Sequence, residues 1–306
     1  MASRLNKKRN KANKPLVSVL LCTRNDGKYI KECIKSILSQ TYDNFELIIW
    51  NDGSLDDTHN IINSFRDNRI RYYHLKKSSG SISNIRHISF TRIKGKYEIN
   101  GKYIFTIDGD CVADNYWLRE GVKAFKKYKT QAIEGRIIYN TKGYKPSLSD
   151  RLVENNQGKE WMTANMGYKR EIIEKFPINW KYTRLSDREV ALRILKISPI
   201  PFISTCIVYH AKSTRTIQSY LKEAERMRFR VMLVKEQNDK INNPFRILNL
   251  TFLLVMLFPP LILMQIFRGK IRSWDDLKLL PFVWVKAVYM RFIIWKTAIK
   301  EKVFVI

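Results

Sequence analysis

The sequence predicts an α/β fold with a mostly parallel central sheet flanked by helices, followed by C-terminal hydrophobic helices. Three observations predict it: short apolar runs alternate with segments of helical periodicity, the polar breaks follow the apolar runs, and the composition changes near residue 233. Residues 16–21, Leu-Val-Ser-Val-Leu-Leu, read as a buried strand that Cys22-Thr23-Arg24-Asn25-Asp26-Gly27 breaks. Tyr29, Ile30, Cys33, Ile34, Ile37 and Leu38 then recur at helical spacing. A second strand over 45–50 runs into Asn51-Asp52-Gly53-Ser54, and a helix over 57–65, a strand over 69–74 and a helix over 83–93 follow. Strands alternating with helices in this way require right-handed crossovers, which gather the polar loops at one sheet edge.

The fourth strand, residues 103–107, ends in Asp108-Gly109-Asp110. Two carboxylates at the carboxyl edge of a buried strand lie where open α/β sheets collect ligands. Hard oxygen ligands suit Mn²⁺ or Mg²⁺, which bridge phosphate oxygens of a substrate. Before this strand the sequence stutters, Gly95-Lys96-Tyr97 and then Gly101-Lys102-Tyr103, as a short inserted turn. Beyond it the pattern predicts a helix over 115–128, a strand over 132–139, a polar loop over 140–150, a helix from Arg170, another near 185–194, and a last strand from Phe202 that ends at His210.

The chain of 306 residues carries 56 Lys+Arg against 28 Asp+Glu, a net charge of +28 that implies an anionic partner. The four cysteines show no Cys-x-x-Cys spacing, so neither a zinc site nor a disulfide framework is indicated, and a reducing cytosolic setting fits. Residues 1–14 read as a basic flexible tail without a signal-peptide core. Residues 247–267 hold no charge and are long enough for a bilayer helix, yet Pro259-Pro260 interrupts them. A basic loop and a second apolar-aromatic segment, 279–306, follow. Spanning by the first segment would put the basic loop on the far side, so a re-entrant or interfacial hairpin on an anionic membrane surface fits better, with a buried soluble helix pair as the alternative.

In order, Thr23-Arg24-Asn25, Asn51-Asp52-Gly53-Ser54, Ser83-Asn84-Ile85-Arg86-His87, Asp108-Gly109-Asp110 and Ser186-Asp187 resemble the family 2 glycosyltransferases and their GT-A fold. The resemblance covers roughly residues 15–232, leaving 233–306 as a membrane-associated helical region. It implies an inverting transfer from a UDP- or GDP-sugar to a lipid-linked or glycan acceptor at the cytoplasmic face of a membrane, with Mn²⁺ or Mg²⁺ as cofactor and no nucleic acid as partner. Thr23, Arg24 and Asn25 would lie beside the nucleotide, Asp52 would accept hydrogen bonds from the base, and Arg86 would approach the base or diphosphate. Asp108 would reach ribose or metal across Gly109 from Asp110, the firmer metal ligand. Asp187 would be the general base, although Ser186 replaces the family's glutamate; the same residues ahead of Glu189 also read as a capping box. Glu225-Arg226-Met227-Arg228-Phe229 resembles a Gln-x-x-Arg-Trp phrase, in which Arg228 would bind the donor phosphates; a solvated basic helix is the alternative. His210 would ligate the cation or else serve as a packed histidine. The readings from other classes are a basic nucleic-acid-binding protein and an inactive glycosyltransferase-like scaffold.

Overall fold

The computed structural model describes residues 14–91, 99–139, 145–237 and 250–303. The tail expected at 1–14 and most of the stutter at 95–101 therefore fall outside the described residues. The chain divides into two compact units, one of residues 1–140 and 153–211 and one of residues 141–152 and 212–306. The division comes after Ala211, whereas the sequence placed the boundary after residue 232.

The first unit is built on a sheet of strands β1 (Val17–Thr23), β2 (Phe45–Asn51), β3 (Ile70–His74), β4 (Tyr103–Asp108), β5 (Cys111–Ala113), β6 (Ala132–Tyr139), β8 (Met166–Lys169) and β9 (Phe202–His210) in the order β3-β2-β1-β4-β8-β6-β9-β5. The pairs β1–β2, β1–β4, β2–β3 and β6–β9 are parallel, while β8 runs antiparallel between β4 and β6. Residues 166–168 had carried no strand assignment, because β8 is short and contains Gly167. A Cβ there would stand 2.8 Å from Ile133 and 3.2 Å from Phe105.

Both faces of the sheet are covered, which is why its strands read as continuous apolar runs. Alternate residues divide between the faces: Val17, Val19, Leu21, Leu47, Ile49, Phe105 and Ile107 pack in one cluster with helices α1 (Ile30–Leu38) and α4 (Trp117–Tyr128). Leu20, Ile48, Trp50 and Ile104 belong to the other, with helices α3 (Ile82–Thr91), α5 (Arg170–Lys175) and α6 (Ser186–Leu195). Helix α2 (Thr58–Asn63) connects β2 to β3. Phe105 lies at the centre of its face, edge-on to both Trp117 and Phe125. All four cysteines are buried and free.

The second unit contains a two-stranded ribbon, β7 (Asp150–Arg151) with β10 (Ser213–Thr214), and helices α7 (Ile217–Lys222), α8 (Arg226–Gln237), α9 (Leu250–Leu257), α10 (Met264–Phe267) and α11 (Trp274–Glu301). Buried Asp276 in the first turn of α11 accepts the N–H of Ser149 at 2.6 Å and that of Arg272 at 2.9 Å. Burial alone would raise this carboxyl, and the hydrogen bonds from Ser149, Arg272 and Ser147 hold it well below the usual range instead. That anchor joins the segment around Ser149 to this unit despite its place in the sequence.

The uncharged segment does not form one helix. It stops at Leu257, continues as a 3₁₀ turn over Pro259–Leu263 and ends in the short α10, as proline in a helix interior dictates. Among the described residues no helix is long and apolar enough to cross a membrane. The second apolar segment is one helix that starts at Trp274, so Lys278 sits on α11 rather than in a loop.

Phe105→Ala is expected to lower the unfolding free energy by about 3–5 kcal/mol, measured by urea denaturation; a loss below about 1 kcal/mol would show that the helices on this face pack independently of it.

Candidate active site

The parallel register sets the site. Thr23 pairs with Asn51 and Cys22 with Asp108, so three strands end level at one edge. Asp52 follows directly, its N–H donating to the Thr23 carbonyl at 2.9 Å. A cavity of about 240 Å³ opens at this edge, lined by Cys22, Arg24, Asp26, Asp52, Ile82, Arg86, Asp108, Gly109 and Asp110.

Most of the sequence-predicted residues converge there. Asp52 is buried, its Oδ1 accepting the Ser79 N–H at 2.5 Å and its Oδ2 the Ser78 hydroxyl at 3.0 Å. Arg24 is exposed at the rim. Asn25 adopts φ 56° and ties two loops together: its N–H donates to Ser54 Oγ at 2.9 Å, and its Oδ1 accepts the Leu55 N–H at 2.8 Å. Thr23 is buried and donates to Asp26 Oδ2 at 2.7 Å.

Asp26 is a member that sequence reasoning passed over as part of a turn. A Cβ at Gly109 would stand 2.4 Å from Asp26 Oδ2 and 2.9 Å from Thr23 Oγ1, so a glycine between Asp108 and Asp110 is what admits this third carboxylate. Burial, and then the charges of Asp110 and Asp108, push the Asp26 carboxyl up to about 6, against the Thr23 hydrogen bond. The Thr23-x-x-Asp26 spacing was the available signal.

Arg86, on α3, pairs with Asp108; the guanidinium side chain is only 11% exposed. Burial pulls its pKa down, but Asp108, Asp187 and Cys22 together carry it above its ordinary value. Asp187 lies half-buried in the first turn of α6, where its Oδ1 accepts the Arg188 N–H at 2.9 Å and the Thr163 N–H also bonds it. Burial raises the Asp187 carboxyl, with Arg86 opposing. The capping-box reading does not hold. Leu185, at φ 61°, occupies the cap position without a side-chain bond; the Ser186 hydroxyl meets Ser83 Oγ at 2.8 Å, and Glu189 pairs with Arg193. Ser186 is thus engaged by a tertiary partner on α3, and Glu189 by an arginine one turn further along its own helix.

The antiparallel pairing of Cys111 with His210 brings His210 to Asp110, with Nε2 at 3.5 Å from Oδ1. His210 Nδ1 donates to the Ala211 carbonyl at 2.9 Å, because a carbonyl only accepts. In the neutral ring this leaves the Nε2 lone pair toward Asp110, the orientation of a ligating histidine. The ligand atoms of Asp110, Cys111 and His210 lie within 4.8 Å of one another. Burial pushes the Cys111 thiol well up, so Asp110 and His210 form the donor pair that fits a cation.

A second buried carboxylate missed in the sequence is Glu134 on β6. It accepts the N–H groups of Lys159 at 2.7 Å, Glu160 at 2.9 Å and Trp161 at 2.5 Å, and the Asn155 amide at 2.7 Å. Lys159 and Trp161 have φ of 71° and 50°, so this carboxylate holds a backbone that L-residues otherwise avoid. The loop carries Trp161, whose ring centroid is 5.4 Å from the Arg188 guanidinium, and leads to Thr163 beside Asp187. Asn165 is fully engaged, accepting from Trp117 Nε1 at 2.8 Å and donating to the carbonyls of Arg136 and Cys206. Arg228 belongs to the second unit, on α8, 5.8 Å from the Phe229 ring centroid.

The sequence model described as "Glycosyl transferase family 2" matches residues 18–195, which hold every strand end just described except His210. The chain belongs to glycosyl transferase family 2. Family relatives include an uncharacterised glycosyltransferase of Haemophilus influenzae, 36% identical over 117 residues, covering 38% of this chain and 34% of the relative. The chondroitin synthase of Pasteurella multocida is 33% identical over 127 residues, 42% of this chain but 12% of the synthase. The chain thus spans about a third or less of the length of these curated relatives.

Two solved structures share the fold. Staphylococcus aureus TarS 1–349 in complex with UDP-GlcNAc superimposes with a TM-score of 0.59 at 16% identity, over 94% of this chain and 92% of that one. The Pyrobaculum calidifontis mannosyltransferase PcManGT in complex with GDP-Man and Mn²⁺ gives 0.55 at 14% identity, over 98% and 94%. The α/β sheet is therefore GT-A-like, as the order of motifs implied.

The Asp26 carboxyl gives this site a pH signature. Its pKa is about 6 in the folded chain against an ordinary 3.8, so the folded state holds the proton longer than the unfolded state. Stability contributed by this group is therefore lost as pH rises from about 4 to about 6, and the loss is complete above. Asp26→Asn is expected to gain thermal midpoint relative to the parent through that window and to keep a constant advantage above it. Thermal unfolding in EDTA between about pH 4 and 8 reads this directly; a parent–variant difference independent of pH would refute it.

Proposed function

We propose that the chain is an inverting glycosyltransferase that moves a sugar from a UDP- or GDP-sugar to a membrane-linked acceptor at the cytoplasmic face of a membrane. The observation that carries this reading is the meeting of Asp52, Arg86, Asp108 and Asp110 in one recess, with Asp187 electrostatically linked to the same Arg86. The nucleotide sugars bound to the two structural neighbours support the donor class.

In this reading Thr23, Arg24, Asn25 and Asp52 surround the nucleoside, and Gly109 keeps the acid edge open. Arg86 offers its paired N–H groups to the diphosphate. Asp110 and His210, with Asp108 beside them, hold a divalent cation whose charge stabilises the departing nucleoside diphosphate. An imidazole in the donor set favours Mn²⁺ over Mg²⁺, which prefers oxygen ligands alone.

Asp187 takes the proton from the acceptor hydroxyl. Its raised pKa suits that role, because a carboxylate lifted above its ordinary value is the stronger base toward the acceptor proton. Arg86 limits the rise and keeps the carboxylate form available. The acceptor oxygen attacks the anomeric carbon from the face opposite the diphosphate, so one displacement inverts the centre and no covalent intermediate is required.

Asp187→Asn is expected to lower kcat by about 10²–10⁴-fold with UDP or GDP affinity retained, measured as nucleoside-diphosphate release in Mn²⁺ and as calorimetric nucleotide binding. Asp110→Asn, or EDTA with the parent, should abolish release. Turnover by Asp187→Asn within about tenfold of the parent would remove Asp187 from the chemistry.

A further inference from the structure

Helix α11 carries its polarity the wrong way round for a helix in water. Lys286 and Arg291 lie on its buried face, Lys286 donating to Glu223 at 2.6 Å with Tyr220 beneath its ammonium at 3.9 Å. Solvent meets large apolar residues, mostly aromatic, instead: Trp274 is 77% exposed, Phe292 55%, Trp295 51% and Ile299 79%. With Leu277 and Trp284 these are spaced by three, four, seven or eight residues, one or two helical turns each, so they form one stripe along the 28-residue helix. Lys278, Lys296 and Lys300 are exposed one residue beyond Leu277, Trp295 and Ile299, which lines them along one flank of the stripe. In the same unit the proline-broken segment exposes Leu257, Phe258 and Phe267, and Trp284 Nε1 donates to the Met256 carbonyl at 3.2 Å.

A contiguous apolar face of this length on a protein in water marks a contact surface. We infer that the exposed face of α11 lies in the interface of an anionic lipid bilayer, parallel to its plane, with the aromatic stripe among the headgroups and the lysines against their phosphates. Three features favour lipid over a protein partner. Indole and phenol rings beside lysine are the residues that settle at the headgroup level. Lysine is depleted from the cores of protein interfaces, yet here it borders the apolar stripe toward both ends. Charge complementarity agrees, because a chain of net charge +28 is attracted to an anionic surface before any apolar contact is made. No described helix is able to cross the bilayer, so the face is suited to lie on it. The inference deepens the proposed membrane-linked acceptor by naming the surface that reaches the lipid.

The test uses the full chain and vesicles of phosphatidylcholine alone or of phosphatidylcholine and phosphatidylglycerol in equal amounts. The parent is expected to sediment with the mixed vesicles, and its tryptophan emission should shift to the blue. Phe292→Ser/Trp295→Ser should weaken this binding by about tenfold or more, and Lys278→Glu/Lys296→Glu should erase the preference for the anionic mixture. Trp274→Ser/Ile299→Ser is the second pair should the first fail to keep the parent's circular dichroism. Unchanged binding in both apolar pairs overturns the inference. So does a parent that light scattering shows to be an oligomer and that either pair converts to a monomer, since a second copy would then cover the stripe. Calorimetric binding of UDP or GDP in Mn²⁺ without vesicles is measured alongside: its absence from the parent would sink the proposed reaction while leaving the lipid result standing.

Discussion

The charge of Arg86 is what allows the acid edge to exist. Asp26, Asp108, Asp110 and Asp187 gather around a partly enclosed recess, and carboxylates brought together out of water raise one another's pKa until some lose their charge. Arg86 reaches Asp108 directly and lowers the pKa of Asp187 through space, so these two feel a compensating cation that Asp26 lacks. Burial first, and the charges of Asp110 and Asp108 after it, hold the Asp26 carboxyl at about 6.

The backbone that delivers these groups was legible because each delivery is local. A strand announces itself by its apolar run, and the residue after the run lands at the sheet edge whatever its neighbours do, so Asp52, Asp108 and His210 were readable from periodicity. Parallel registry then aligns strand ends that the sequence separates widely. What could not be read depends on partners far along the chain. Glu134 looks like an outward charge on a strand until the loop 155–161 folds its N–H groups onto it. The cap of α6 reads as Ser-Asp-x-Glu, but Ser83, 103 residues earlier, claims the Ser186 hydroxyl. Strand β8 is too short to carry a period, and only the gap between β4 and β6 makes it a strand.

The second unit shows the opposite limitation. The sequence shows two apolar segments, 247–267 and 279–306, but hydropathy does not say which face of a helix meets protein. On α11 both faces carry apolar residues, and two of its cations, Lys286 and Arg291, lie inside, Lys286 paired with Glu223. Burying an ammonium is tolerable only with such a partner, and Tyr220 adds a ring face to it. The helix is therefore held to its own unit by ionic and aromatic contacts that leave its larger rings outward.

Within the triplet Asp108-Gly109-Asp110 the two acids have different surroundings, and this bears on which binds a cation. Asp108 has one oxygen on Arg86, so a metal there shares its ligand with a guanidinium and gains less from it. Asp110 faces a histidine whose outer nitrogen is fixed by the Ala211 carbonyl, a neutral donor that adds affinity without adding charge repulsion. The glycine between them is equally committed, because any side chain would collide with Asp26. The triplet thus serves three distinct neighbours, Arg86, Asp26 and His210, from three successive residues, and the strand that precedes it fixes only where it begins.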